Sequence, residues 1–80
     1  MKITIKFFAS SRELVGRNQL EMKLPSDATV KTLIDTLKQN HVKLAKLNSF
    51  MIAVNMEYVK SDVPLNDGDE VAIIPPVSGG

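Results

Sequence analysis

The chain has 80 residues and a formal net charge of +1, from ten basic and nine acidic residues, and 44% of its residues are hydrophobic. This length allows a single small domain, and so small a charge favours neither nucleic acid nor an anionic membrane as a partner. The chain has no cysteine and only one histidine. Thiolate chemistry, sulfur ligands for a metal and a multi-histidine metal site are therefore excluded.

Catalytic and targeting motifs are missing from the sequence. It contains no nucleophile elbow and no glycine-rich phosphate loop, and His41 is interpreted as a helix-end residue. The opening MKITIKFF alternates instead of forming the apolar core of a signal peptide. No apolar run approaches the roughly 18 residues of a membrane span. The sequence predicts a cytoplasmic protein with no membrane partner, no metal and no catalysis by its own side chains.

The first segment, Lys2–Phe8, alternates between apolar and polar residues, which predicts a strand with one buried face. A short helix over Arg12–Val15 is expected next, with Ser10 or Ser11 as its N-cap and Gly16 at its end. A second alternating strand is predicted between residues 18 and 24. The proline at position 25 ends it.

The middle of the chain predicts the main helix. Val30, Leu33, Ile34 and Leu37 recur at helical spacing, which indicates a helix from Val30 to about residue 40 with one apolar stripe. A polar turn of cap-forming residues, Ser26–Thr29, precedes it. Leu44 and Leu47 predict a looser helical turn after it.

The second half reads as three strands. Residues 50–55 form a predicted strand, and Glu57–Val59 a short edge strand. Asn66–Asp69 is interpreted as a turn in which Gly68 supplies a positive φ. Glu70–Ile74 is the last predicted strand.

The order of these elements predicts an α+β fold. When a mixed sheet with one apolar face packs on one helix with one apolar stripe, the apolar surfaces of both elements are buried. That arrangement is the β-grasp, or ubiquitin-like, fold, formed here by a single domain over residues 1–80, with 75–80 as a protruding tail. If the last strand lies beside the first, the tail leaves from the middle of the sheet.

The tail reads PPVSGG. Pro75 and Pro76 favour an extended chain and cannot donate ladder hydrogen bonds, and Gly79 has no side chain to block a narrow channel. The Gly80 carboxylate is unhindered and ionised at neutral pH, and it becomes an electrophile once it is joined to AMP. The tail is therefore predicted to enter another protein's active site. A plain frayed terminus stays the alternative.

Outward-facing apolar residues predict a partner surface. Strand parity sends Phe8 and Ile74 to the face opposite the core, and Tyr58 and Met56 can join them there, while Val77 continues the apolar character into the tail. Contiguous exposed apolar residues commonly mark an interface. The alternatives are that loops cover these residues, or that they are singly exposed and carry no role.

Several motifs resemble a known family. FFASSRELVG at residues 7–16, VNMEYV at 54–59 and PLNDGDEVAIIPPVSGG at 64–80, together with the chain length, resemble the MoaD/ThiS family, and within it the small sulfur carrier subunits of molybdopterin synthase. The resemblance covers essentially the whole chain. Residues 35–49 carry little of it.

The resemblance implies a function carried by the terminus. An E1-like, ATP-dependent enzyme adenylates Gly80, a sulfur donor protein converts it to a thiocarboxylate, and the large synthase subunit uses this sulfur to build the molybdopterin dithiolene from cyclic pyranopterin monophosphate. No bound cofactor is implied, and the expected assembly is a heterotetramer. The implied site has two parts: the threading tail of Pro75, Pro76, Val77, Ser78 and Gly79, and a partner interface at Phe8, Tyr58 and Ile74.

Three alternatives remain open from the sequence. A thiamine-pathway sulfur carrier would use the same chemistry, although such chains are usually shorter and lack the segment resembling residues 11–16. A ubiquitin-like protein modifier needs the same Gly-Gly end. A simple β-grasp interaction module would not depend on Gly80 at all.

Overall fold

The computed structural model of the chain describes residues 1–47 and 49–76. The elements in chain order are strand β1 (Lys2–Phe7), helix α1 (Ser10–Val15), strand β2 (Gln19–Lys23), helix α2 (Val30–Asn40), a 3₁₀ turn (Val42–Lys46), and strands β3 (Met51–Val54), β4 (Glu57–Val59) and β5 (Glu70–Ile74). Each of these elements was predicted. The ends of α2, β4 and β5 are as predicted, those of β1, α1, β2 and β3 differ by one or two residues, and Leu47 lies just after the 3₁₀ turn instead of within it.

The five strands form one mixed sheet in the order β2-β1-β5-β3-β4. Strands β1 and β5 are parallel, with Phe7 opposite Ile73, and the other neighbours are antiparallel. This architecture confirms the predicted β-grasp fold. It also places β5 at the centre of the sheet, with β4 at one edge.

One face of the sheet and the apolar stripe of α2 share a single buried cluster. The helix begins with a capping box, in which the Thr32 N–H donates to the Thr29 hydroxyl and the Thr29 N–H donates to the Thr32 hydroxyl. It ends at His41, whose N–H donates to the Leu37 carbonyl at 2.8 Å, which confirms the interpretation of the histidine. The buried cluster includes Ile3, Ile5, Phe7, Val30, Leu33, Leu37, Val71 and Ile73.

The predicted start of α1 was wrong. The helix begins at Ser10, and its N-cap position is Ala9, with φ 51° and no side-chain cap. Ser11 lies inside the first turn and is fully buried. Its hydroxyl donates to the Phe8 carbonyl at 2.6 Å and accepts from the Phe8 N–H at 3.1 Å. The serine therefore provides hydrogen-bond partners for the Phe8 N–H and carbonyl, just after β1 ends. Leaving such backbone groups buried and unpaired would be costly.

Among the described residues, no helix is both long enough and apolar enough to cross a membrane.

Candidate functional site

Strand β5 carries the chain from the centre of the sheet toward its terminus. It stops at Ile74, as expected for a strand followed by two prolines. Pro75 is buried and Pro76 is exposed, so the chain leaves the packed body one residue later than the sequence predicted. The predicted tail residues Val77, Ser78, Gly79 and Gly80 lie outside the described residues.

Two of the predicted interface residues lie side by side at that end of the sheet. Phe7 and Ile73 are paired across the parallel strands β1 and β5, and the Phe8 N–H donates to the Ile73 carbonyl at 3.2 Å. Side chains alternate along a strand, so Phe8 and Ile74 both face away from the core. Phe8 is exposed and Ile74 is partly buried.

All four predicted interface residues line one groove on this outward face, with a volume of about 440 Å³. Its floor is formed by Ala53 and Ala72, which are paired across strands β3 and β5. Because an alanine side chain ends at Cβ, two neighbouring alanines leave room between taller side chains. The structure thus brings Phe8 and Ile74 together with residues of the β3–β4 hairpin. We call this the outer groove; it is lined by Lys6, Phe8, Ala53, Met56, Tyr58, Glu70, Ala72 and Ile74.

The hairpin that joins β3 to β4 presents an apolar side chain at the groove. Asn55 and Met56 form its two-residue loop, with φ values of 50° and 72°. Two positive φ values are what a type I′ turn requires, and glycine is the usual second residue there. Here the second residue is methionine, with 92% of its surface exposed.

A polar cluster holds this turn against the start of β5. The Asn55 amide donates to Asp69 at 2.9 Å, and its side-chain oxygen accepts from the Glu70 N–H at 3.0 Å. The other Asp69 oxygen accepts from the Asn66 N–H at 2.7 Å. The predicted Asn66–Asp69 turn is confirmed, with Gly68 at φ 86°, and it also anchors the hairpin. We call the Asn55–Asp69 contact the hairpin clamp.

The polar edge of the groove is an ion pair between Lys6 and Glu70, at 3.3 Å. Glu70, Ala53 and Ala72 were not predicted to belong to a site. The signal for Glu70 and Ala72 was available, because they alternate with the buried Val71 and Ile73 and therefore share the outward face. The alternation within each strand did not predict that Ala53 would lie beside Ala72.

In the two described ranges, no group of three or more His, Cys, Asp or Glu side chains is placed to hold a metal ion.

The fold and the groove define a class: a ubiquitin-like β-grasp protein whose central strand leads to a Gly-Gly end. Residues 5–80 match the model of the ThiS family. A molybdopterin synthase sulfur carrier subunit from Chlamydomonas reinhardtii is 40% identical over the full length of both chains. Another from Dictyostelium discoideum is also 40% identical, over 95% of this chain and 93% of that one. The chain belongs to the ThiS family.

Solved structures agree with this assignment. SAMP1 of Haloferax volcanii has a TM-score of 0.91 at 28% identity, with full coverage of both chains. A chain from the complex of subunits 1 and 2 of the molybdopterin-converting factor of Helicobacter pylori has a TM-score of 0.72 at 28% identity, again with full coverage of both. The predicted family resemblance is thereby confirmed.

Proposed function

We propose that this protein is the small, sulfur-carrying subunit of a molybdopterin synthase. The observation that carries the proposal is the whole-chain similarity, at 32–40% identity, to proteins named molybdopterin synthase sulfur carrier subunit. In this proposal the large synthase subunit is the main partner. An E1-like enzyme and a sulfur donor recharge the carrier between rounds, in the cytoplasm.

The chemistry proposed for the terminus takes place on one carbonyl group. An ATP-dependent enzyme transfers AMP from ATP to the Gly80 carboxylate and releases pyrophosphate, which turns a poor electrophile into a reactive acyl group. Sulfide-level sulfur from the donor then displaces AMP and leaves a thiocarboxylate. Two such sulfurs build the dithiolene on cyclic pyranopterin monophosphate, and each transfer returns Gly80 to a carboxylate. The proposal places the sulfur on the terminal carbonyl and not on a side-chain thiol, which agrees with the absence of cysteine from the chain. It requires no bound cofactor.

The composition of the last residues suits this task. Pro76 is the last described residue and is already exposed, and residues 76–80 can extend by at most about 17 Å. Gly79 would pass through the narrowest part of a partner's channel, since it has no Cβ. The proposal therefore needs a partner that approaches the folded body closely enough for so short a tail to reach its active site.

The outer groove is the surface we propose for that approach. It lies beside Ile74, at the point where the chain turns toward its terminus, and its apolar wall is exposed in the isolated protein. A partner that covers this groove would hold the tail root at a fixed distance from its own active site. The Helicobacter pylori neighbour was solved together with its second subunit, which supports a large-subunit partner.

The proposal is tested by the mass of the terminal peptide. The protein is purified from cells with and without the activating enzyme, and we expect one oxygen to be replaced by sulfur at Gly80 only when the enzyme is present. A variant that lacks Gly80 should stay unmodified, yet should still bind the large subunit through the groove. An unmodified Gly80 in the presence of an active enzyme and sulfur donor would refute a thiocarboxylate carrier.

A second candidate function is favoured by the likeness to SAMP1, a small archaeal modifier protein. A modifier would join Gly80 to lysine side chains of target proteins instead of delivering sulfur. Denaturing purification of a tagged chain followed by digestion would reveal lysine-linked conjugates that depend on Gly80. Their presence together with the thiocarboxylate would indicate both roles, and their presence alone would favour the modifier.

A further inference from the structure

The four methionines of the chain lie in very different surroundings. Met22 is buried at 8% exposure, Met1 is partly buried, Met51 is 51% exposed and Met56 is 92% exposed. The chain has no cysteine, so an oxidant that attacks sulfur finds thioethers only, as long as Gly80 carries no thiocarboxylate. Of these, the Met56 side chain is the most open to solvent.

Met56 also occupies a backbone conformation that costs free energy. Its φ of 72° lies in the left-handed region, which is unfavourable for any residue with a Cβ and which glycine adopts freely. Such strain persists where the surrounding structure enforces it, and it clusters at functional positions. Glycine would fit this turn at lower cost, so the methionine side chain is the feature that needs explanation.

The surrounding contacts fix the position of the turn that carries Met56. The hairpin clamp ties Asn55 to Asp69, which is itself 8% exposed, and the backbone of Asn55 donates to the Glu70 carbonyl at 2.8 Å. The turn is thus attached to the central strand, and Met56 lines the outer groove together with Tyr58. A partner seated in the groove therefore meets the Met56 side chain on a turn that is held in place.

We propose that Met56 is an oxidation-sensitive docking contact, and that conversion of its thioether to the sulfoxide weakens the binding of the large subunit in the outer groove. The inference rests on the proposed function, because it takes that subunit as the occupant. The thioether is apolar and polarizable, and it adapts well to an apolar partner surface. The sulfoxide is polar, and burying it without a hydrogen-bond partner is unfavourable.

The covalent step needs only a peroxide. The sulfur lone pair attacks one oxygen of hydrogen peroxide, the O–O bond breaks, an S–O bond forms and the second oxygen leaves as water. The sulfur loses two electrons and the peroxide gains them. Reduction by a thiol-dependent sulfoxide reductase reverses the change.

The experiment compares two matched variants. Met51→Leu leaves Met56 as the strongly exposed thioether, and Met56→Leu leaves Met51, which is on the same face of the sheet but does not line the groove. Each purified variant is treated with hydrogen peroxide, the site of oxidation is located by peptide mass spectrometry, and affinity for the purified large subunit is measured by calorimetry. Thermal denaturation of each sample checks that the fold is retained.

We expect oxidation of the Met51→Leu variant to raise the Kd for the large subunit by about tenfold or more, the scale on which an unsatisfied polar group weakens an interface. Oxidation of the Met56→Leu variant should change the Kd by less than about twofold. A sulfoxide at Met56 with an unchanged Kd and an intact fold would overturn the inference. So would an equal loss of affinity in both oxidised variants.

The outcomes separate this inference from the proposed function. If the reduced protein does not bind the large subunit, the proposed function fails and the inference fails with it. If the reduced protein binds and Met56 oxidation has no effect, the inference alone fails. Peptide mapping is essential, because exchange of one oxygen for sulfur at Gly80 and addition of one oxygen at Met56 are nearly isobaric.

Discussion

The outward face of the sheet has two halves that share one backbone architecture and differ in their side chains. Over β1 and β2 the outward residues are charged or polar, and Lys2 and Glu21 form an ion pair at 3.6 Å. Over β5, β3 and β4 they are alanines and larger apolar groups around the outer groove. The ion pair of Lys6 with Glu70 marks the boundary between the charged half and the apolar half.

Under the proposed function, the difference favours the apolar half as the docking surface. Exposed ion pairs such as Lys2 with Glu21, whose side chains are more than half exposed, contribute little to stability and suit permanent contact with water. Covering an exposed apolar concavity with another surface is favourable, because apolar area is removed from water. The charged half is therefore expected to tolerate change, and the apolar half is expected to govern binding.

The largest effect should come from filling the groove. Ala72→Arg places a long charged side chain on the groove floor, and we expect the affinity for the large subunit to fall by about 100-fold, because the side chain would fill the groove and its charge would lose water under the partner. Thr4→Arg is the matched control, an outward position on β1 opposite Glu21 and Glu70. Its effect on the Kd should be below about threefold.

These two variants are compared by calorimetry after their thermal unfolding has been shown to match that of the parent protein. If Thr4→Arg weakened binding as much as Ala72→Arg, the partner would cover the charged half as well. The distinction between the two halves would then be lost.

A smaller effect, with opposite signs for stability and binding, is expected at Met56. Met56→Gly relieves the left-handed backbone and should raise the free energy of unfolding by about 0.5–1 kcal/mol, the strain released less the entropy cost of a glycine. The same change removes an apolar contact and should weaken binding about fivefold to tenfold. Chemical denaturation and calorimetry measure the two quantities separately.

Met56→Leu is the control for this variant, since it keeps the strain and most of the apolar surface. It should leave both the unfolding free energy and the Kd close to those of the parent. A Met56→Gly protein that is more stable and binds equally well would show that the side chain has no role in docking.

The smallest effect is expected in the charged half. Glu21→Gln breaks the ion pair with Lys2, and the unfolding free energy should change by less than about 1 kcal/mol, since both side chains are exposed. The affinity for the large subunit should not change measurably. Chemical denaturation at low and high salt provides the test. A fall in the unfolding free energy above 2 kcal/mol, about twice the usual upper bound for an exposed ion pair, would mean that the charged half contributes substantially to stability.

Local patterns in the sequence were sufficient for most of the fold. The alternation in Lys2–Phe8 and Glu70–Ile74 predicted both strands and their buried faces, and the spacing from Val30 to Leu37 predicted the main helix. The start of α1 was predicted wrongly because a serine near a helix start usually caps it. In the structure Ser11 is buried in the first turn, where it bonds to the Phe8 backbone, and only the packing against the end of β1 determines that.

By itself, the sequence determined the elements, the outward direction of Phe8 and Ile74, and the composition of the tail, because strand and helix periodicity act over neighbouring residues. Only the tertiary structure decided that Ala53 lies beside Ala72 and that the hairpin clamp brings Met56 to the same groove. Strand order and register join residues that are far apart in the chain, and no local pattern specifies them.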